Sequence, residues 1–312
     1  MKYNLAPICL FTFNRLDETQ KTVLALQKNN LAHKSQLFIF SDGWKYDKDK
    51  EEIEEVRAFL KTIIGFKKIT IFKSEINKGL ANSIITGVTK IINKFGKVIV
   101  LEDDLITSPN FLDFMNQALY YYEYNERVFS VSGYSMDLSS LKGSNNDYYL
   151  GYRGSSWGWG SWRKEWNEID WEIKDYEDFK NSKTLIKAFK IGGSDLPGML
   201  KNQMNKTIDS WAIRWCYNQF KKNQFTVFPT ISKVESIGFN SSATHTKRNI
   251  RRFNTKIDKT NKTEFLFDNS LIINKKLVKQ QQFKFSFINR FFDKFSPYEY
   301  IKILFSYIKI KL

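Results

Sequence analysis

Apolar residues in the first half of this chain come in short runs separated by longer amphipathic stretches. Ala6-Pro-Ile-Cys-Leu-Phe-Thr-Phe13, Gln36-Leu-Phe-Ile-Phe-Ser41, Lys68-Ile-Thr-Ile-Phe72, Lys97-Val-Ile-Val-Leu101 and Val128-Phe-Ser-Val131 have the length and character of buried strands. Between them the spacing predicts helices over 17–29, with Thr19, Val23, Leu24 and Leu26 near one face, over 48–63, from the Asn77–Asn82 stretch to about Asn93, and over 109–124. Strands alternating with helices are βαβ units. The pattern therefore predicts a Rossmann-like α/β fold, a mixed and mainly parallel sheet flanked by helices.

Polar residues stand where each strand ends. Asn14 and Arg15 follow the first strand, Asp42-Gly43 the second, and Glu102, Asp103 and Asp104 the fourth. In an open α/β sheet these positions share one rim, the rim where ligands bind. Three adjacent carboxylates repel one another and lose solvation if buried. At the exposed end of a strand they suit a hard divalent cation, Mn²⁺ or Mg²⁺, which takes carboxylate oxygens and keeps places for substrate phosphates. Ser108 reads as the cap of the next helix and Pro109 as its first residue.

After residue 134 the character changes. Tyr148-Tyr-Leu-Gly-Tyr152 reads as a strand, and Arg153-Gly-Ser-Ser-Trp-Gly-Trp-Gly-Ser-Trp162 follows it, with Trp166 and Trp171 close behind. Indole faces pack in cores, and they also stack on sugar C–H faces, with glycines allowing close approach. Ile208-Asp-Ser-Trp-Ala-Ile-Arg-Trp215 opens a helix with Asp209 at its cap. Gln224-Phe-Thr-Val-Phe-Pro229 is another strand, and Ile237-Gly-Phe-Asn-Ser-Ser-Ala-Thr-His-Thr246 carries His245 in a loop of small residues.

Composition narrows the function. Two cysteines and two histidines argue against a disulfide scaffold or a histidine metal cage, and fit a reducing compartment. The opening residues lack a signal-peptide core and no run is long enough to span a bilayer, so the expected setting is the cytoplasm. The net charge is +16, unevenly placed. Residues 247–312 hold 16 Lys/Arg and 5 Asp/Glu, a net +11, which leaves +5 for the first 246. The body shows no nucleic-acid motif, so no nucleic-acid partner is expected. G-x-G-x-x-G after the first strand and a Walker A loop are both missing, which lowers NAD enzymes and P-loop NTPases.

Taken in order, strand-Asn-Arg, strand-Asp-Gly, Asn-Lys-Gly helix, Val-Leu-Glu-Asp-Asp-Leu, Trp-Gly-Trp, Asp-x-Trp and Ala-Thr-His-Thr resemble the GT-A glycosyltransferases, over about residues 6–246. The likeness is greatest to bacterial family-2-like sugar transferases, and the Glu-Asp-Asp stretch is also similar to N-acetylglucosaminyltransferase I. The resemblance implies a catalytic domain over 1–246, with a nucleotide-binding half (1–133) and an acceptor half (134–246). It implies metal binding by Asp104 and His245, and donor binding by Phe11, Asn14, Arg15, Asp42, Lys78, Gly79, Asn82, Glu102 and Asp103. Acceptor or sugar contacts fall to Trp157, Gly158, Trp159 and Trp211, and the catalytic base to Asp209. The implied activity is metal-dependent, inverting transfer of a hexosyl or N-acetylhexosaminyl group. The implied donor is a nucleotide sugar, a UDP-sugar first. The implied acceptor is a glycan or a lipid-linked glycan of bacterial surface polysaccharide assembly. The family's Asp-x-Asp reads Glu-Asp-Asp here, so the roles within it are open.

Two rivals stand beside this reading. A nucleotidyltransferase acting on sugar phosphates also uses strand-end acids and Mg²⁺, but needs a triphosphate loop after the first strand, which is missing. A non-catalytic basic protein binding nucleic acid predicts charge spread over the body. The charge lies instead in residues 247–312, read as a helical, basic, amphipathic tail. Phe287, Ile288, Phe291, Phe292 and Phe295 share one helical face, and a second short helix spans 298–311. Such a tail fits an anionic membrane surface, which the resemblance would place at the cytoplasmic face of the inner membrane, or else packs on the catalytic domain or a second subunit.

Overall fold

A computed structural model describes residues 4–238 and 251–292. In chain order the first half gives β1 (Ile8–Thr12), α1 (Leu16–Gln27), β2 (Gln36–Ser41), α2 (Lys50–Leu60), β3 (Lys68–Lys73), α3 (Leu80–Phe95), β4 (Lys97–Glu102), β5 (Leu105–Thr107), α4 (Phe111–Tyr121) and β6 (Val128–Ser132). The second half gives β7 (Tyr148–Gly151), β8 (Trp159–Trp162), α5 (Arg163–Asn167), α6 (Tyr176–Asn181), α7 (Lys183–Phe189), α8 (Leu196–Met204), α9 (Trp211–Lys221), β9 (Phe225–Pro229), β10 (Val234–Ser236), α10 (Lys275–Lys284) and α11 (Phe287–Phe292).

Eight strands form one sheet in the order β3-β2-β1-β4-β8-β6-β9-β7. β1, β2, β3 and β4 are parallel to one another, and β6 is parallel to β9. β8 and β7 run against their neighbours. The mixed, mainly parallel sheet flanked by helices is the fold the pattern predicts.

The strands are apolar on both faces because both faces are covered. Ile8, Leu10, Leu37, Ile39, Ile99 and Leu101 point to α1, α2 and α4, where they meet Val23, Leu26, Val56, Leu60 and Met115. The residues between them, Cys9, Phe11, Phe38, Val98 and Val100, point to α3, α5 and α9, where they meet Ile84, Val88, Trp166 and Trp215.

Several local expectations change. α4 starts at Phe111 with Asn110 at its cap position, and the Ser108 hydroxyl donates to Asn110 Oδ1 at 2.8 Å, so Ser108 is not the cap. Leu24 is exposed on α1 and not part of its buried face. The Trp-Gly-Ser-Trp stretch is a buried strand, β8, inserted antiparallel between β4 and β6. The residue pattern does not mark it as a strand, because glycine is depleted in strands and the stretch lacks the usual alternation.

The charge step at residue 246 is not where packing stops. Ser232 bridges Ile257, and Phe265 and Leu271 are buried in the main core. Lys233 and Asp258 form an ion pair in which both side chains are almost fully buried. Asn110 donates to Asp258 Oδ2 at 3.0 Å and to the Lys262 carbonyl at 3.0 Å. α10 buries Leu277 and Val278, and Phe285 just beyond it packs in the cluster formed by Tyr134, Met136, Tyr149 and Phe228. The segment 252–285, read from its charge as tail, thus packs on the body. Phe295 and the predicted helix over 298–311 lie outside the described residues.

Breaking the Lys233–Asp258 pair tests how firmly this segment is joined. Lys233→Met leaves a buried, unpaired carboxylate and should cost about 3–5 kcal/mol in urea unfolding. The double change Lys233→Met/Asp258→Leu should recover much of that loss. A single variant as stable as the parent would show that the pair does not hold the segment.

Candidate active site

The carboxyl ends of β1, β2, β3 and β4 form one rim, and the expected polar residues stand along it. Register fixes this: Phe11 pairs with both Phe40 and Glu102, and Thr12 with Ser41. At the centre, Arg15 reaches across from the start of α1. Its Nη1 lies 3.0 Å from Asp104 Oδ2, and its Nη2 is ion-paired with Asp103 Oδ1. Asp103 also accepts the Phe13 N–H at 3.3 Å. Thr22 locks the turn: its hydroxyl donates to the Asp103 carbonyl at 2.8 Å and accepts the Leu105 N–H at 3.1 Å.

One guanidinium faces three acids. Burial works against the charge of Arg15, but the pull of Asp103 and Asp104 outweighs it and holds its pKa above the ordinary value. Asp103 is pushed up to about 6, because burial outweighs the help from Arg15 and the Phe13 N–H. Glu102 is pushed well above the carboxylate range by burial first, then by Asp104 and Asp103. Among the described residues, no group is hydrogen-bonded to the Glu102 carboxylate.

Beyond these acids the chain doubles over the site. β10 pairs with β5, Val234 opposite Thr107 and Ser236 opposite Leu105. The Ile237 N–H donates to the Asp104 carbonyl at 2.9 Å. Gly238 then lies so close that a Cβ there would fall on the Asp104 carboxylate. His245 lies outside the described residues.

A divalent cation of the Mg²⁺ or Mn²⁺ kind is bound through one or two carboxylates plus water and phosphate. Asp103 is committed to Arg15 and Phe13. Glu102 and Asp104 retain oxygens, and the acids outnumber the adjacent guanidinium, so this donor set fits such an ion. Among the described residues no group of three or more His, Cys, Asp or Glu side chains is arranged to enclose a metal. Glu102 and Asp104 would leave the remaining positions of such an ion to water and phosphate oxygens.

Asp42, at the end of β2, is buried and turned inward on the chain. Its carboxylate accepts the Lys78 N–H at 2.9 Å and the Gly79 N–H at 3.0 Å, which anchors the turn that enters α3. Gly79 has φ +74 there, a left-handed value that a side chain disfavours. Lys78 and Asn82 are exposed beside it. Arg57, buried on α2, supports the same rim from below by donating to the Ser74 carbonyl at 2.6 Å and to Ser41 Oγ at 3.2 Å. A small cavity of about 60 Å³ opens between Phe40, Asp42, Phe72, Lys78 and Thr86.

Some expected contacts are core instead. Phe11 is 4% exposed and stacks on Phe40 at 4.9 Å, with Gly87 of α3 against its ring. No face of it is left for a base or sugar, whereas Phe40 and Phe72 of the same ladder do line the cavity. Trp159 and Trp211, 1% and 3% exposed, pack against each other at 5.0 Å and against Trp215. Neither offers a free face for sugar stacking. Trp157 is only partly buried, edge-on to Tyr134 at 4.6 Å. Gly158 has φ +57 and accepts the Gly133 N–H at 2.6 Å, with Val234 where a Cβ would go. Its role is a close backbone approach. Asn14 sits at the outer end of the rim, donating to Glu52 at 2.6 Å.

Asp209 is not the cap of α9. Ser210 is, with its hydroxyl accepting the Ile213 N–H at 3.3 Å. The Asp209 carboxylate is largely exposed and paired with Arg214 at 3.3 Å. Trp211 packs on Trp159, whose strand partner is Val100, two residues before Glu102.

No family model matches this chain, and no curated protein does. Solved structures are similar over parts of it. A mannosyltransferase from Pyrobaculum calidifontis, in complex with GDP-Man and Mn²⁺, is 11% identical, covers 42% of this chain and 36% of its own, and has a TM-score of 0.28. The glycosyltransferase GlyE of Streptococcus pneumoniae is 12% identical over 72% of this chain and 45% of its own, with a TM-score of 0.35. The galactosyltransferase LgtC, in complex with donor and acceptor sugar analogs, is 12% identical over 68% of this chain and 70% of its own, with a TM-score of 0.33. This chain spans less than half the length of the first two. Likeness at these TM-scores carries no argument about activity, so the site itself must carry it.

The acid cluster has a pH signature. A carboxyl whose pKa is raised by folding binds its proton more tightly in the native state. Its contribution to stability is present below the ordinary carboxylate pKa of roughly 4. It is lost as pH rises through about 6, where Asp103 titrates. In the presence of a chelator, the urea midpoint should therefore fall between these values and keep falling as Glu102 titrates. Excess Mn²⁺, which binds the deprotonated acids, should flatten or reverse that slope. A midpoint that rises over this range in chelator would contradict the assignment.

Proposed function

We propose that this chain is a GT-A glycosyltransferase that moves a sugar from a nucleoside-diphosphate donor, a UDP-sugar first, to a hydroxyl of a glycan or lipid-linked acceptor. The observation that carries the reading is the strand-end cluster of Glu102, Asp103, Asp104 and Arg15, on the same rim as the Asp42-anchored turn. A diphosphate needs positive groups and N–H donors at such a rim, and a sugar hydroxyl needs a base nearby.

In this reading Asp104 and Glu102 hold Mn²⁺ or Mg²⁺, which when bound supplies the charge that stabilises the departing diphosphate. Asp103 orients Arg15 toward the same phosphates. Lys78, Gly79 and Asn82 hold the nucleoside side, with Phe40 and Phe72 taking the aromatic role expected of Phe11. Asn14 borders the donor. Asp209 takes the proton of the acceptor hydroxyl, and Trp157, beside Gly158, borders the acceptor. Displacement in one step inverts the anomeric centre. An acceptor carried on lipid would place the protein at the cytoplasmic face of the inner membrane, in bacterial surface polysaccharide assembly.

The test is a panel of nucleotide sugars assayed for hydrolysis and transfer with Mn²⁺. A UDP-sugar should turn over, and both EDTA and Asp104→Ala should abolish turnover. Asp209→Asn should lower kcat by about 10²–10⁴ with nucleotide affinity nearly unchanged. Full activity in excess EDTA would remove the metal from the reading. A product with retained anomeric configuration by NMR would remove the one-step mechanism.

A further inference from the structure

α10 is fixed on one side and, among the described residues, exposed on the other. Leu277, Val278 and Gln281 are buried against the body, and Gln280 is tied to it by a bond from its Nε2 to Ser139 Oγ at 2.8 Å and by the Ser140 N–H donating to its Oε1 at 3.1 Å. Phe285 closes the joint under the guanidinium of Arg153, 3.8 Å above its ring. The opposite side carries Phe283, Phe287, Ile288 and Phe291, which are 60%, 71%, 58% and 40% exposed. Phe283 stands near the end of α10, and Phe287 and Phe291 lie one turn apart on α11. The rings of Phe287 and Phe291 stack at 6.2 Å.

Within the described stretch that carries these residues the charge has one sign. Residues 271–292 contain Lys275, Lys276, Lys279, Lys284 and Arg290 and no Asp or Glu, a net +5. Lys276 and Lys279 are exposed at helical spacing before Phe283, on the same stripe.

Large apolar side chains clustered in the open mark a contact surface. A second copy of this face would set one cationic surface against another, which opposes association. An acidic protein would answer the lysines but not the phenyl rings. An anionic bilayer answers both, since rings enter the boundary between headgroups and acyl chains while ammonium groups meet lipid phosphates. The two helices are far too short to span.

We propose that the α10–α11 face docks on an anionic bilayer surface, with Phe283, Phe287 and Phe291 inserted and the helices lying in the plane of the interface. Because the other side of α10 is packed on the body, this contact fixes the body's orientation to the lipid and does not merely tether it. It stands apart from the glycosyltransferase reading and survives if that reading fails.

The experiment is co-sedimentation of the full chain with vesicles of phosphatidylcholine alone and of phosphatidylcholine with phosphatidylglycerol. The chain should bind the anionic vesicles only, and less as salt rises. The variant Phe283→Ser/Phe287→Ser/Phe291→Ser changes exposed residues only, and its fold is checked by thermal unfolding. Its partition should drop at least about tenfold. A second variant, Lys276→Glu/Lys279→Glu, should lose binding by charge alone. No binding of the parent to anionic vesicles would overturn the proposal, as would undiminished binding of both variants. A parent that is dimeric without lipid and made monomeric by the phenylalanine variant would reassign the face to a subunit contact.

Discussion

Three carboxylates at the end of a buried strand repel one another, and the fold around them is arranged to supply positive charge at that point. Arg15 does so from the first residues of α1, held in place by Thr19, whose hydroxyl donates to its carbonyl at 2.6 Å. Thr22 on the next turn grips the backbone of Asp103. Helix α1 is thus coupled to the acidic turn twice, through a guanidinium and through a hydroxyl. The excess of negative charge that Arg15 leaves is what makes the turn receptive to a cation. Removing the residues around it costs more than their own contacts, since it would leave charge uncompensated in a low-dielectric setting.

Much of the rim was legible in the sequence, because strand ends are marked by a change from apolar to polar residues and βαβ order puts those ends together. Asn14, Arg15, Asp42 and Glu102 to Asp104 were found that way. Aromatic residues were not separable by the same means. Phe11, Trp159 and Trp211 look like ligand contacts in sequence, but which face an aromatic presents depends on the helix that covers it, and α3 and α9 cover these. Arg57 was missed inside a charged helix. Its signal was its spacing, four residues after Ile53 and next to Val56, which places it at the edge of the buried face. Asp209 was read as a cap where neighbouring Ser210 does the work. The two are equivalent by residue type and differ only in backbone conformation.

The C-terminal segment teaches a related point. Charge counting divides the chain at residue 246, yet the strongest polar joint in the region, Asn110–Asp258–Lys233, crosses that boundary. Lysine-rich sequence reads as surface because most of its side chains are solvated. Here one carboxylate and a few apolar residues, Phe265, Leu271 and Leu277, decide where it packs. Net charge is an average, and docking is decided by exceptions to it.

The order of the Arg15–Asp103 pair in the chain has a consequence for biosynthesis. The two partners are 88 residues apart, and the guanidinium comes first. β1 ends just before Arg15, and everything from α1 through β4 lies between the partners, so this half of the sheet is contiguous in sequence. As the chain leaves the ribosome, the cation and its scaffold emerge before the acids do. β10, which folds back over Asp104, emerges after both. The charges that would most oppose collapse are therefore preceded on the chain by their counter-ion, while β8, which flanks β4, is translated after them.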